Sequence, residues 1–132
     1  MEEYPYTTEV DVRFRDLDMM GHVNNAVYAT YLEEARVAYY DDVLSVAVDE
    51  LGFVLANLEI EYRRPIKHGE EVRIGLRTAG ISDRSMTTEY LIEADGDAAA
   101  TAESVQVAVG ENGNPTEVPD DWRKEIEGYE SQ

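Results

Sequence analysis

The sequence predicts an α+β fold: a five-stranded antiparallel sheet packed on one long buried helix, with a short helix at the C-terminal end. Three observations lead there. One stretch of about twenty residues has helical spacing and neither Gly nor Pro, two-residue alternation precedes it once, and alternation then returns in four further runs.

From Thr8 to Arg15 the residues alternate, with Val10, Val12 and Phe14 opposite Glu9, Asp11, Arg13 and Arg15, which is the pattern of a half-buried strand. "NNAVYATYLEEARVAYYDDVL" then opens on asparagines suited to an N-cap and sets Val27, Tyr31, Ala35 and Ala38 at helical spacing. The spacing predicts a helix from about Ala26 to Val46. Its tyrosines at 28, 31, 39 and 40 leave little polar circumference, so it is expected to be surrounded rather than laid on a surface. Beyond Gly52, Leu58, Ile60 and Tyr62 oppose Glu59, Glu61 and Arg63 until Pro65 breaks the run. Val72, Ile74 and Leu76 against Arg73 and Arg77 mark a third strand, "DRSMTTEYLIEADGD" a fourth that turns at Asp95-Gly96-Asp97, and "AAATAESVQVAVG" a fifth. Pro119, Asp120 and Asp121 start the short final helix. With links of hairpin length and no internal repeat, residues 1–132 read as a single domain. One sheet on one helix leaves an outer face and an open edge, which predicts a homodimer or homotetramer.

Composition narrows the functions open to the chain. Eleven Lys and Arg against twenty-nine Asp and Glu give a net charge of −18, which argues against nucleic acid, whose phosphates need a basic surface. With 43% apolar residues in regular patterns, the acidity belongs to a charged shell and not to disorder. Only Lys67 and Lys124 are lysines, and an acidic, lysine-poor surface of this kind fits concentrated salt, where self-repulsion is screened; a halophilic cytoplasm is the expected setting. The absence of cysteine removes disulfides and thiolate metal sites. "MEEYPYTTEV" lacks a basic start and an apolar run, and no apolar run is long enough for a bilayer, so neither secretion nor membrane insertion is expected.

"DLDMMGHVNN", residues 16–25, places two carboxylates, a glycine, a histidine and two asparagines between a strand and a helix. The longer segment "RFRDLDMMGHVNNAVYATYLEEAR" is similar to the signature of the hotdog-fold acyl-CoA thioesterases, those related to 4-hydroxybenzoyl-CoA thioesterase and to the bacterial long-chain acyl-CoA thioesterases. The shared pattern is D-x-x-x-H-V-N-N, a Tyr, then L-E-E-A-R; "YRRPIKHGEEV" resembles the segment that follows the second strand in that family. The resemblance implies a hotdog fold, with the sheet wrapped around the long helix, and hydrolysis of an acyl-CoA to free acid and coenzyme A at a site completed across a dimer. It aligns Asp18 with the catalytic carboxylate and the amides that open the helix, chiefly that of Asn25, with the donors that polarise the thioester carbonyl. Many relatives carry His where this chain has Asn25, so only the backbone N–H of that residue is transferred.

Chemistry gives the same assignment a separate reason. Thioester hydrolysis puts negative charge on the carbonyl oxygen, and unpaired N–H groups at a helix start, with the helix dipole behind them, are suited to receive it. A carboxylate seven residues upstream, folded back by Gly21, can face the same carbon as general base or as nucleophile. A thiolate leaves with little protonation, so neither a metal nor a cofactor is called for. Asp16 reads as structural. His22 is either a base or orienting group or a backbone hydrogen-bond partner, Asn24 an N-cap that also shapes the oxyanion site, and Tyr28 and Tyr31 either core or walls of an acyl pocket.

Arg63, Arg64, Lys67, Arg73, Arg77 and Arg84 put six of the eleven basic residues within twenty-two positions. Arg64, Lys67 and Arg84 are the candidates to hold coenzyme A phosphates, with pairing to the surplus Asp and Glu as the alternative for each. Two other functions stay open: an enoyl-CoA hydratase or dehydratase on the same fold, which would use an Asp and His pair, and a non-catalytic acyl-CoA-binding protein.

Overall fold

The computed structural model describes residues 1–46 and 52–132. The elements are β1 (Tyr6–Val10), a 3-10 turn (Phe14–Asp16), α1 (Val27–Leu44), β2 (Phe53–Tyr62), β3 (Val72–Ile81), β4 (Ser85–Ala94), β5 (Asp97–Ala108) and α2 (Asp120–Glu130). The five strands make one antiparallel sheet in the order β1-β3-β4-β5-β2, which bears out the expected architecture.

Alternation sets which side of the sheet meets the helix. Met86, Thr88, Tyr90, Ile92 and Ala94 of β4 are buried in strict two-residue steps, and Ile74 and Leu76 of β3 join them. Tyr28, Tyr31, Leu32, Ala35 and Tyr39 of α1 close over that face, and Ile66 and Ile126 complete the core. Each fully buried Leu or Ile there stabilises the fold by about 1.5–3 kcal/mol. Among the described residues no helix is long and apolar enough to cross a membrane.

Four expectations are corrected. The first strand runs Tyr6–Val10 and not Thr8–Arg15, because its partner β3 ends at Val72, opposite Val10; the chain beyond curls into the 3-10 turn and leaves Phe14 85% exposed. α1 stops at Leu44 because Ser45 takes a left-handed φ of 56°. α1 is not wholly surrounded, since Thr30, Glu33, Glu34, Asp41 and Asp42 form an exposed strip. The short link from β2 to β3 is not a hairpin. Arg63 and Arg64 both donate to the Ala99 carbonyl (2.8 and 3.2 Å), Pro65 cannot extend the ladder, and the chain crosses to the far side of the sheet. β2 therefore lies at the sheet edge beside β5, and Val54, Leu55 and Tyr62 are about half exposed along it.

Candidate active site

The loop between β1 and α1 is fastened before it reaches Asp18. Asp16 is buried; its Oδ2 accepts the Arg13 N–H (2.9 Å) and the Tyr31 hydroxyl (2.7 Å), and its carbonyl accepts the Asn24 N–H (2.8 Å). One residue thus ties the loop to α1 and closes its two ends on each other. Burial alone would raise the Asp16 carboxyl. The Arg13 amide, the Tyr31 hydroxyl and the charges of Arg13 and Arg15 outweigh burial and hold it below the ordinary carboxylate range. Burial and, after it, the bond to Asp16 push the Tyr31 hydroxyl up, so it remains a donor. Arg13 reaches Glu34 of α1 at 2.9 Å and adds a second tie.

Inside this frame residues 18–22 make a tight turn. The Asp18 N–H donates to the His22 carbonyl (2.7 Å) and the Gly21 N–H to the Asp18 carbonyl (3.1 Å), with Gly21 at φ 77°, where a side chain would be strained. Asp18 Oδ1 accepts the Met20 and His22 amides at 2.9 and 3.1 Å. Oδ2 accepts no hydrogen bond among the described residues, so one carboxylate oxygen orients the group and the other is open. His22 is a backbone partner in this turn, and it lines the cleft described below.

The helix start supplies the facing donor. Asn24 Oδ1 accepts the Ala26 N–H (2.9 Å) and the Asn24 carbonyl accepts the Val27 N–H (2.9 Å), so Asn24 closes a turn ahead of the helix; the expected N-cap role is corrected, since the N-cap is Ala26 and no side chain caps α1. Between these satisfied amides, the Asn25 N–H donates to nothing among the described residues. The Asn25 carbonyl accepts the Tyr62 hydroxyl at 2.8 Å, which fixes the peptide from the other side.

A cleft of about 260 Å³ opens here, lined by Asp18, His22, Asn25, Tyr28, Tyr62 and Arg64 among others. Tyr28 is buried, and its ring meets that of Tyr62 edge-on at 4.9 Å between centroids. Burial raises its hydroxyl above the ordinary value. Five residues singled out from the sequence, Asp18, His22, Asn25, Tyr28 and Arg64, thus share one cavity wall, and Gly21 and Asn24 shape the loop beside it. Tyr62 was not singled out. Its one sequence signal is position: an aromatic at the last inward step of β2, directly before Arg63-Arg64-Pro65.

The basic candidates separate. Lys67 pairs with His22 in an isolated β-bridge and is exposed, without lining the cleft itself. Arg84 lies in the β3–β4 turn, at the opposite end of ten-residue strands, and is not brought to the cleft. Arg64 lines it but is already partnered: Nη1 and Nη2 reach the two Glu70 oxygens at 3.1 and 2.9 Å, and the same two nitrogens donate to the Pro65 and Ala94 carbonyls. The pairing alternative describes Arg64. The Arg64 hydrogen bond holds the Glu70 carboxyl below its ordinary 4.5, so the pair stabilises the fold above that pH and stops doing so as pH falls through the lowered value. Glu70→Gln is expected to cost about 1–2 kcal/mol near neutral pH, with the deficit shrinking in acid. Urea unfolding at the two pH values checks this.

One open carboxylate oxygen and one open amide across a small cleft can add water, or the carboxylate itself, to a carbonyl whose oxygen the amide receives. The comparisons agree with that chemistry. The family model of the thioesterase-like superfamily matches residues 12–126. A thioesterase from Thermus thermophilus, solved as a complex with coenzyme A and Zn, is 42% identical and superposes with a TM-score of 0.92 over 100% of this chain and 98% of its own. The long-chain acyl-CoA thioesterase FadM of Escherichia coli (strain K12) is 31% identical over 100 residues, 72% of this chain and 76% of that protein. YsmA of Bacillus subtilis (strain 168) is 32% identical over 108 residues, 80% of this chain and 74% of its own. A sheet of this order wrapped on one helix, a cleft lined by both Asp18 and Asn25, and a family match over most of the length lead to one conclusion: the chain belongs to the thioesterase-like superfamily, and it is a thioesterase on the hotdog fold.

Proposed function

We propose that the protein hydrolyses an acyl-CoA to the free acid and coenzyme A, with Asp18 as general base or nucleophile and the Asn25 N–H as oxyanion donor. The observation that carries this reading is that Asp18 Oδ2 and the Asn25 N–H, both without partners among the described residues, border the same cleft. As base, Asp18 takes a proton from water while the oxygen bonds to the carbonyl carbon; the C–S bond then breaks and the thiolate departs. As nucleophile, Asp18 forms an acyl anhydride as the thiolate departs, and water cleaves it. Either route ends in one carboxylate and one thiol, and neither asks for a metal or a cofactor. His22 stands where it can orient the water or hand a proton to the thiolate. Coenzyme A as the carrier is supported by the complex of the Thermus relative and by the substrate named for FadM.

Since Arg64 is held by Glu70, the phosphate contact falls to Lys67, which is exposed and bridged to His22 of the cleft wall. Lys67→Ala is expected to raise KM for acyl-CoA several-fold while leaving KM for a pantetheine thioester unchanged; equal effects on both would remove the phosphate role. The function itself is tested by thiol release from short, long and aromatic acyl-CoAs at high salt. Stoichiometric binding without thiol release would favour an acyl-CoA-binding protein, and loss of crotonyl-CoA absorbance without thiol release would favour a hydratase. The half-exposed edge of β2 supports a homodimer or larger assembly, in which a second copy closes the cleft.

A further inference from the structure

Arg36 stands in the middle of α1 and is only 8% exposed. A guanidinium buried to that degree is ordinarily paired with an acid. Among the described residues Arg36 has no carboxylate within 4.0 Å, and its one hydrogen bond runs from Nη1 to the Tyr90 hydroxyl at 3.0 Å. Nε and Nη2 donate to nothing there and stay in contact with a cavity of about 250 Å³. Glu33, Tyr40, Phe53, Leu55 and Gln106 are among its walls.

The wall behind Arg36 is a hydrogen-bonded polar chain. The Tyr90 hydroxyl and Ser104 Oγ lie 2.5 Å apart, Ser104 Oγ donates to Gln106 Oε1, and Gln106 Nε2 donates to the Tyr40 hydroxyl (3.1 Å) and to Thr88 Oγ1 (2.9 Å). Both amide hydrogens of Gln106 and its oxygen are engaged. Donors to spare therefore belong to Arg36, and the cavity is built to receive an acceptor. Glu33 at the rim is exposed and faces water, so it opposes anions arriving directly from solvent.

One face of β2 lies between this cavity and the Asp18 cleft. Phe53 stacks on Tyr40 at one end, Tyr62 meets Tyr28 at the other, and Leu55, Leu58 and Ile60 lie between them, opposite Gln106, Ser104 and Ala102 of β5. The register shift between Leu55 and Asn57 keeps this row on the face turned to α1. Tyr28 and Arg36 are about 12 Å apart along the helix axis, from eight residues of helical rise. A row of apolar side chains thus lies between the Asp18 cleft and a buried cation that has no acid partner among the described residues.

We propose that this apolar row seats the acyl chain and that Arg36 binds a carboxylate at its far end, so that the favoured substrate is the coenzyme A half-thioester of a dicarboxylic acid. The inference rests on the acyl-CoA reading of the Asp18 cleft and names the acyl class for it. Such a carboxylate meets the guanidinium in a dry site, where charge-assisted hydrogen bonds are strongest. The experiment compares half-thioesters of dicarboxylic acids with methyl-ended acyl-CoAs of the same chain lengths. The wild-type protein is expected to favour the carboxylate-ended series at least tenfold in kcat/KM at one chain length, to lose that preference when the distal carboxylate is masked as its methyl ester, and Arg36→Met to lose it by mutation. Arg36→Lys is expected to keep part of the preference. The masked substrate is read on unaltered protein, so a poorly folded Arg36→Met does not stop the test. Turnover of both series without preference, or a preference unmoved by masking, overturns this inference and leaves the acyl-CoA reading standing. No turnover of any acyl-CoA overturns both.

Discussion

Asp18→Asn is expected to fold and melt as the parent does while kcat falls at least about a hundredfold. The substitution is close to isosteric. Its carbonyl oxygen can still accept the Met20 and His22 amides that hold Asp18 Oδ1, so the turn at Gly21 keeps its shape. What disappears is the second oxygen, the one without a partner, which a base or a nucleophile must use. An amide at that place neither takes a proton from water nor attacks a thioester. Steady-state thiol release beside a thermal melt measures both quantities, and unchanged kcat in a folded variant would end the role assigned to Asp18.

The second large effect concerns a backbone atom. Asn25→Pro deletes the N–H that donates to nothing among the described residues, and the loss of one such oxyanion donor lowers kcat by roughly 10²–10³. Asn25 precedes α1 and its N–H makes no hydrogen bond among the described residues, so proline there removes no bond that holds the fold, and the fold is expected to survive. Asn25→Ala keeps the N–H and removes only a side chain that makes no hydrogen bond among the described residues, so it is expected to stay within a few-fold of the parent. The contrast between the two variants separates backbone from side chain. Equal losses in both would move the function to the Asn25 carboxamide, and no loss in either would place the oxyanion elsewhere.

Much of the site was legible because its parts are contiguous. Asp18, Gly21, His22, Asn24 and Asn25 fall within eight positions, and a strand, a glycine turn and a helix start leave little freedom in how they are arranged. Tyr62 escaped notice because it is thirty-seven residues from the carbonyl it holds, and as the last inward residue of an alternating run it looks like any other strand aromatic. Arg36 is similar: nothing in its place in a helix marks it as buried, and its one hydrogen bond among the described residues is to Tyr90, fifty-four residues away. The end of β1 was misread for a physical reason. Alternation continues to Arg15, but a strand lasts only as long as its partner, and the partner, β3, stops opposite Val10. In the same way hairpin-length spacing between β2 and β3 did not reveal that the chain crosses the sheet, since pairing is decided by which edges are left for β1 and β2 to occupy.

The position of Tyr62 couples two properties that proteins more often keep apart. It is the final residue of an edge strand, and its hydroxyl holds the peptide whose N–H is the proposed oxyanion donor. In the proposed reaction, whatever settles against that margin, be it another subunit, a crowding solute or a salt-dependent shift in the strand, bears on the geometry of the reacting carbonyl. Turnover by that route would be exposed to its neighbours through a single phenol, and a change in association would register as a change in rate before it registered as a change in fold.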